Sequence, residues 1–366
     1  MKNKKSVKMI GKVLLALIAI ILLFTIITII VHTVRSKNEI ELLKEKGYYN
    51  LVSVGEYSLN VAEFGNANGD YTIVGMAGLG SGDFSVSMRQ MTSCLEEENR
   101  LVFVDRAGYG FSDDTENEMT LEYIVEDYRK ALKNAGIEAP YILMGHSIGG
   151  AYANYWVSNY PEEIKAVIFV DGSQLSSDAF ADEPIDEIDV GDRVLAFLAK
   201  AGFSRYVLRD YFYHFPDNYS EEEQYLGDAL ALMTLDSIAT LSENKNLAKN
   251  TQDAFNGIVT NDIPKMYICA SWGFETKEDV IEYNKWINRQ IEINNLDIEP
   301  RRLEYDDEEM KDILDNFEEG RQNVIYPYAE KMGNCEIVCI GGDHMIYEQK
   351  PEECGAIIKD FIDGLE

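Results

Sequence analysis

Histidine and paired cysteine are what this sequence has least of. Four histidines stand among 366 residues, and the cysteines (Cys94, Cys269, Cys335, Cys339 and Cys354) are odd in number, with no Cys-x-x-Cys spacing. Without histidine clusters or cysteine pairs the chain offers no zinc-type ligand set, and buried free thiols are the expectation for Cys269, Cys335 and Cys339, which fall in apolar strand-like runs. A disulfide stays open, because pairing cannot be read from spacing. Positive charge is also in short supply: 33 lysines and arginines face 64 aspartates and glutamates, a formal charge of -31. A nucleic-acid partner needs a basic groove to neutralise phosphates, and none is present. The same acidity repels anionic lipid surfaces and reads most simply as a well-solvated exterior. The glycine-rich run at 75–80 is not followed by Gly-Lys-Ser/Thr, which excludes a phosphate loop. Internal repeats and low-complexity tracts are absent too, and no metal or organic cofactor is implied.

What is present begins with an apolar run at 14–31, broken only by Thr25 and Thr28 and long enough to cross about 30 Å of hydrocarbon as a helix. Lys2, Lys4, Lys5, Lys8 and Lys12 precede it. A cleaved signal peptide would share those lysines, but its apolar core would be shorter and would end in small residues, whereas this run ends at Val31-His32-Thr33-Val34-Arg35. The reading is an uncleaved transmembrane anchor at 10–34, after a basic tail at 1–9 and before a polar connector at 35–47. By the positive-inside rule the tail is cytoplasmic, which puts the rest of the chain outside the cell, held to the lipid bilayer by one pass.

Beyond the connector, strand-like runs alternate with helical ones, the pattern of an α/β protein with a mostly parallel sheet. Eight strands are expected, at 48–54, 57–64, 71–74, 100–104, 141–144, 166–170, 265–270 and 335–340. The later ones are continuous apolar runs, as suits strands covered by helices on both faces. Helical spacing marks 119–135, 147–159 and 351–365. The core therefore divides into 48–171 and 263–366, separated by a helical lid at 172–262. A second, charged helical insertion lies at about 275–333.

The run Tyr141-Ile142-Leu143-Met144-Gly145-His146-Ser147-Ile148-Gly149-Gly150-Ala151 joins an apolar strand to a helix through a glycine-flanked serine. A serine at so sharp a turn takes a strained backbone, and side chains at 145 and 149 would collide with the neighbouring strand and helix. The turn exposes the hydroxyl and aims the helix N-terminus at it. Three more segments agree with it: Val104-Asp105-Arg106-Ala107-Gly108-Tyr109-Gly110-Phe111-Ser112-Asp113 after the fourth strand, Val74-Gly75-Met76-Ala77-Gly78-Leu79-Gly80 after the third, and Gly341-Gly342-Asp343-His344 after the last. In kind and order these resemble the motifs of the α/β-hydrolase superfamily of serine hydrolases, over roughly 48–364 apart from the insertions.

The resemblance implies an α/β-hydrolase fold with Ser147 as nucleophile. A serine hydroxyl needs a neutral imidazole to take its proton. Of the four histidines, His32 ends the anchor, His146 points away from the elbow hydroxyl and His214 belongs to the lid, which leaves His344 at a strand end. By match to the family, the oxyanion donors are the backbone amides of Leu79 and Ile148, although Ala77 stands where many members carry histidine. The family draws its acid from either of two strand ends. Asp171, after the sixth strand, is favoured over Glu275, because the commoner place holds Ser271-Trp272-Gly273-Phe274-Glu275 without an aspartate. Asp343 is a weaker third choice.

Phe197, Phe203, Tyr206, Tyr211, Phe212, Tyr213, Phe215 and Tyr219 make the lid aromatic, which suits an acyl or aryl group and, beside an anchor, a lipid-like ester. The alternative use for these rings is the lid's own packing. The expected activity is hydrolysis of a small carboxylic ester. An aminopeptidase or amidase of the same fold is one alternative, and a catalytically silent surface binding protein is another.

Overall fold

The computed structural model describes residues 2–173, 176–182, 187–207, 216, 218–234 and 237–365. Its strands are β1 (Leu51–Ser53), β2 (Ser58–Gly65), β3 (Thr72–Met76), β4 (Arg100–Val104), β5 (Tyr141–His146), β6 (Ile164–Val170), β7 (Lys265–Cys269) and β8 (Cys335–Cys339). All eight join one sheet in the order β1-β2-β4-β3-β5-β6-β7-β8. β2 runs antiparallel to both of its neighbours, and the other pairs are parallel. The strand expected at 48–54 shortens to Leu51–Ser53, because Tyr48 is taken up in ending a helix.

Helices of seven residues or more are α1 (Lys2–Glu45), α2 (Leu121–Asn134), α3 (Gly149–Asn159), α4 (Val190–Lys200), α5 (Glu221–Thr234), α6 (Ile238–Lys245), α7 (Leu247–Asn256), α8 (Lys277–Ile293), α9 (Asp307–Gly320), α10 (Tyr326–Met332) and α11 (Pro351–Asp363). Alternate strand residues feed two cores. On one face Val74, Leu143, Val167 and Tyr267 meet Tyr128, Tyr152, Trp156 and Tyr328. On the other, Ile73, Ile142, Met144 and Ile168 meet Ile358 and Ile362 of α11. Burial on both faces is why the central strands read as unbroken apolar runs.

α1 is one helix of 44 residues, long and apolar enough to cross a membrane, and only 6% of its apolar window is buried. The polar connector expected at 35–47 is helical as far as Glu45. No glycine or proline interrupts 35–46, and Leu43 is buried with Tyr48, Val86, Leu226 and Leu230, so the helix gains packing by continuing. It stops at Gly47, whose φ of 84° opens a left-handed turn. There the Tyr48 amide donates to the Leu43 carbonyl at 2.8 Å and the Gly47 amide to Lys44 at 3.3 Å.

The 172–262 segment is helical but is not all lid. α4 and α5 contribute nothing to the two sheet-face cores, whereas α6 and α7 bury Ala239 and Ala254 in the first of them. Asn250 of α7 accepts from the Leu121 amide at 2.8 Å and donates to the Met119 carbonyl at 3.0 Å. Tyr211, Phe212, Tyr213, Phe215 and His214 lie outside the described residues. All five cysteines are free, and Cys269 and Cys339 face each other in register on β7 and β8.

Candidate active site

Six consecutive buried residues of β5 lead into Ser147, where φ turns to +51°. A non-glycine residue in that region costs of order 1–3 kcal/mol and persists only where its surroundings demand it. Here they do. A Cβ at position 149 would lie 2.1 Å from the Met76 carbonyl oxygen of β3, and one at 145 would lie 2.7 Å from the Gly149 backbone. Both glycines therefore let strand, turn and helix close on one another. Ser147 itself stays partly open to solvent, with α3 beginning two residues later.

The β6 and β8 ends bring an acid and an imidazole together. Asp171, buried and held at a φ of 42°, places Oδ2 2.7 Å from Nδ1 of His344. The Ala270 and Ser271 amides donate to its Oδ1 at 2.9 and 3.1 Å, and the Ser271 hydroxyl donates to Oδ2 at 2.5 Å. Burial alone would raise the pKa of this carboxyl, but the bonds from His344, Ser271 and the Ala270 amide outweigh it and hold the pKa below the usual carboxylate range. His344 shows the reverse balance. Burial favours its neutral form, yet Asp171 and, further off, Asp343 together raise its pKa above the ordinary histidine value. With Nδ1 occupied, Nε2 is the nitrogen free to exchange protons.

His146 is sealed beneath this pair. Its ring lies 4.6 Å from that of His344, centroid to centroid, and its Nε2–H donates to the His344 carbonyl at 3.0 Å. Burial, reinforced by the neighbouring imidazole, pushes its pKa down, so it stays neutral and serves as a brace.

The loop after β3 lies against the same turn, since a Cβ on Gly78 would come 3.1 Å from the Ser147 Cβ. Among the described residues no hydrogen bond occupies the Leu79 or Ile148 amide. Arg106 holds the loop from below, donating to the Ala77 carbonyl at 2.7 Å and the Gly78 carbonyl at 2.8 Å. Its own partner is Glu243 of α6, bonded at 3.1 Å with both side chains almost wholly buried. Glu243 also accepts from the Tyr152 hydroxyl at 2.5 Å, and the Gly80 amide donates to the Tyr109 hydroxyl at 3.0 Å. A lid helix is thus wired through an ion pair to the backbone of the glycine loop.

Ser147, Ile148, Leu79, Asp171 and His344 converge at the carboxyl ends of the strands. Glu275 does not join them: it is exposed at the start of α8, beside the Cys339 thiol. Asp343 turns away, accepting from the Met345 amide at 2.9 Å and the Tyr283 hydroxyl at 3.3 Å. Ser271, Glu243 and the bracing role of His146 go unseen in the sequence. Ser271 does stand at the strand end where an acid is sought, but nothing in Leu241-Ser242-Glu243-Asn244-Lys245 marks a buried carboxylate. Among the described residues no group of three or more His, Cys, Asp or Glu is placed to hold a metal ion.

Comparison with known proteins bears on this arrangement. A family model described as alpha/beta hydrolase fold matches residues 75–266. The uncharacterized protein YbdG of Bacillus subtilis is 35% identical over 201 residues, 55% of this chain and 60% of that protein, so the chain spans less than two thirds of that relative. Among solved structures, an enol-lactonase from Burkholderia xenovorans aligns over 86% of this chain and 100% of its own, with a TM-score of 0.51 and 15% identity. A structure from a study of Nitrososphaera gargenis carboxylesterases aligns over 86% and 98%, with a TM-score of 0.53 and 15% identity. At such identities the likeness to these two is one of fold.

Proposed function

The chain belongs to the alpha/beta hydrolase fold family, and from that premise we propose that it is a serine hydrolase cleaving carboxylic esters through an acyl-enzyme. Ser147 Oγ attacks the ester carbonyl carbon while its proton passes to Nε2 of His344. The oxygen that gains the charge is held by the Leu79 amide of the loop after β3 and the Ile148 amide at the N-terminus of α3, donors already in place and spared any reorganisation. Collapse of the adduct breaks the bond to the alkoxy oxygen, which leaves with the proton from His344. Water then repeats the sequence on the acyl group, giving the acid and restoring Ser147. Asp171 keeps the imidazole in the tautomer with hydrogen on Nδ1 and stabilises the imidazolium that forms.

The observation that carries this reading is the 2.7 Å contact of a buried Asp171 with His344 Nδ1, beside a serine at φ +51°. A fluorophosphonate probe tests it. Wild type is expected to be labelled at Ser147 and Ser147→Ala to be unlabelled; a folded wild type that does not react would sink the proposal. We place the enzyme on the outer face of the cell membrane, held by α1 with the basic tail inside. The low burial of the apolar segment supports an anchor in the bilayer, because a core helix of a soluble domain would be covered, and the lysines before it support the sidedness.

A further inference from the structure

The lid closes on α1 at three successive levels. Phe24 meets Phe203 edge-on with ring centroids 5.6 Å apart and Tyr206 at 6.3 Å. Gly202 presses its backbone on the helix so closely that a Cβ there would come 2.4 Å from His32 Cβ. Arg205 then donates to both oxygens of Glu39 at 2.7 and 2.5 Å, to the Ser36 hydroxyl at 3.1 Å and to Nδ1 of His32 at 2.9 Å, with the ion pair shielded from solvent. Phe24 precedes the end of the apolar run at Val31 by 31 − 24 = 7 residues, which at 1.5 Å per residue is about 10 Å of helix. Residues 202–206 of the lid are therefore fixed beside the outer part of the membrane span and the polar turn that follows it.

Two residues before this contact ends α4, and α4 has an uncovered apolar face. Val190, Val194 and Phe197 are 78%, 51% and 59% exposed. Their spacing of four and three places them on one side of the helix. Its cations are spoken for: Arg193 pairs with Glu116 and Lys200 with Asp114. A chain of charge -31 has no electrostatic attraction to an anionic headgroup layer, so what this face can bind is hydrocarbon.

We propose that α4 lies in the outer leaflet of the bilayer that α1 spans, with Val190, Val194 and Phe197 among the acyl chains. The occupant is membrane lipid rather than a protein partner, because the helix carrying this stripe ends two residues before the segment that packs on the helix proposed to span the bilayer. The inference rests on the membrane-anchor part of the proposed function and is independent of the nucleophile.

Full-length protein in phosphatidylcholine vesicles, with and without bromine on the acyl chains, tests it through tryptophan emission measured over the wild-type background. Phe24→Trp reports the span, Val194→Trp and Phe197→Trp report α4, and Val259→Trp reports an exposed apolar position at the amino end of β7, away from the lid. Brominated lipid is expected to remove most of the added emission at 24, 194 and 197 and none at 259. Quenching at 24 but not at 194 and 197 overturns the lid contact and leaves the anchor standing. No quenching at 24 overturns the anchor and the lid contact together, and equal quenching at 259 overturns the assignment to this face.

Discussion

Asp171 receives four hydrogen bonds in a setting nearly closed to water, three of them from residues 270 and 271. An asparagine there would keep the shape while offering His344 an NH2 where it needs an acceptor, favouring the wrong tautomer. Asp171→Asn is expected to lower kcat on a small ester by about 10⁴-fold, as loss of the orienting carboxylate does in serine hydrolases generally. Glu275→Gln should leave turnover unchanged, and the reverse result would reassign the acid. The raised pKa of His344 gives a second expectation. Catalysis needs the neutral imidazole, so kcat/KM should rise with pH to a midpoint above the ordinary value of 6.5. In Asp171→Asn the midpoint of the residual activity should move down.

Glu243 offers a residue-scale test that does not involve the reacting groups. In Glu243→Gln the buried Arg106 loses its counter-charge while the volume is conserved, and breaking such a pair costs about 3–5 kcal/mol. A lower denaturant midpoint is expected. Because Arg106 also holds the Ala77 and Gly78 carbonyls, kcat should fall more than KM rises in protein that remains folded. Unchanged stability and turnover would show that the lid connection has no hold on the loop.

At the scale of elements, the strand-turn-helix unit around Ser147 is built on backbone-to-backbone contact. Gly149→Ala puts a Cβ 2.1 Å from the Met76 carbonyl, and neither a strand carbonyl nor a helix N-terminus can swing aside as a flexible side chain would. Overpacking of this kind costs about 1–3 kcal/mol or more. Thermal melting should show a clear loss, with fluorophosphonate labelling reduced in whatever protein folds. This unit was legible in the sequence because steric exclusion at positions 145 and 149 leaves a glycine signature. Ser271 left none, because its role depends on which residue the neighbouring strand end brings opposite it. The attachment of α7 left no mark for a similar reason: it is as polar as a lid helix in sequence, while the Asn250 contacts with residues 119 and 121 and the burial of Ala254 tie it to the body.

For the whole molecule, the sheet was the most readable feature, since strands such as Ile164–Val170 are covered on both sides and show it as unbroken apolar sequence. The connector was the least readable. Residues 35–46 carry enough charge to look like a loop, and only the burial of Leu43 and Glu39 explains why they stay helical. Stability should carry the signature of the acid–imidazole pair across the whole fold. The raised pKa of His344 contributes stability that is complete below 6.5 and lost as pH rises through the folded value. The lowered pKa of Asp171 contributes stability present above 3.8 and lost as pH falls through its folded value. Denaturant midpoints of wild type should therefore exceed those of His344→Ala most clearly between those two limits, and converge at either extreme.

Gly47 ends a helix that runs unbroken from Lys2 to Glu45. A flexible tether of the dozen residues at 35–46 would wander over about 20 Å, letting the domain graze the surface at many heights and angles. A continuous helix removes that freedom. Under the proposed anchoring, the site would be held at a single height and tilt above the membrane plane and would meet its substrates by lateral travel in two dimensions.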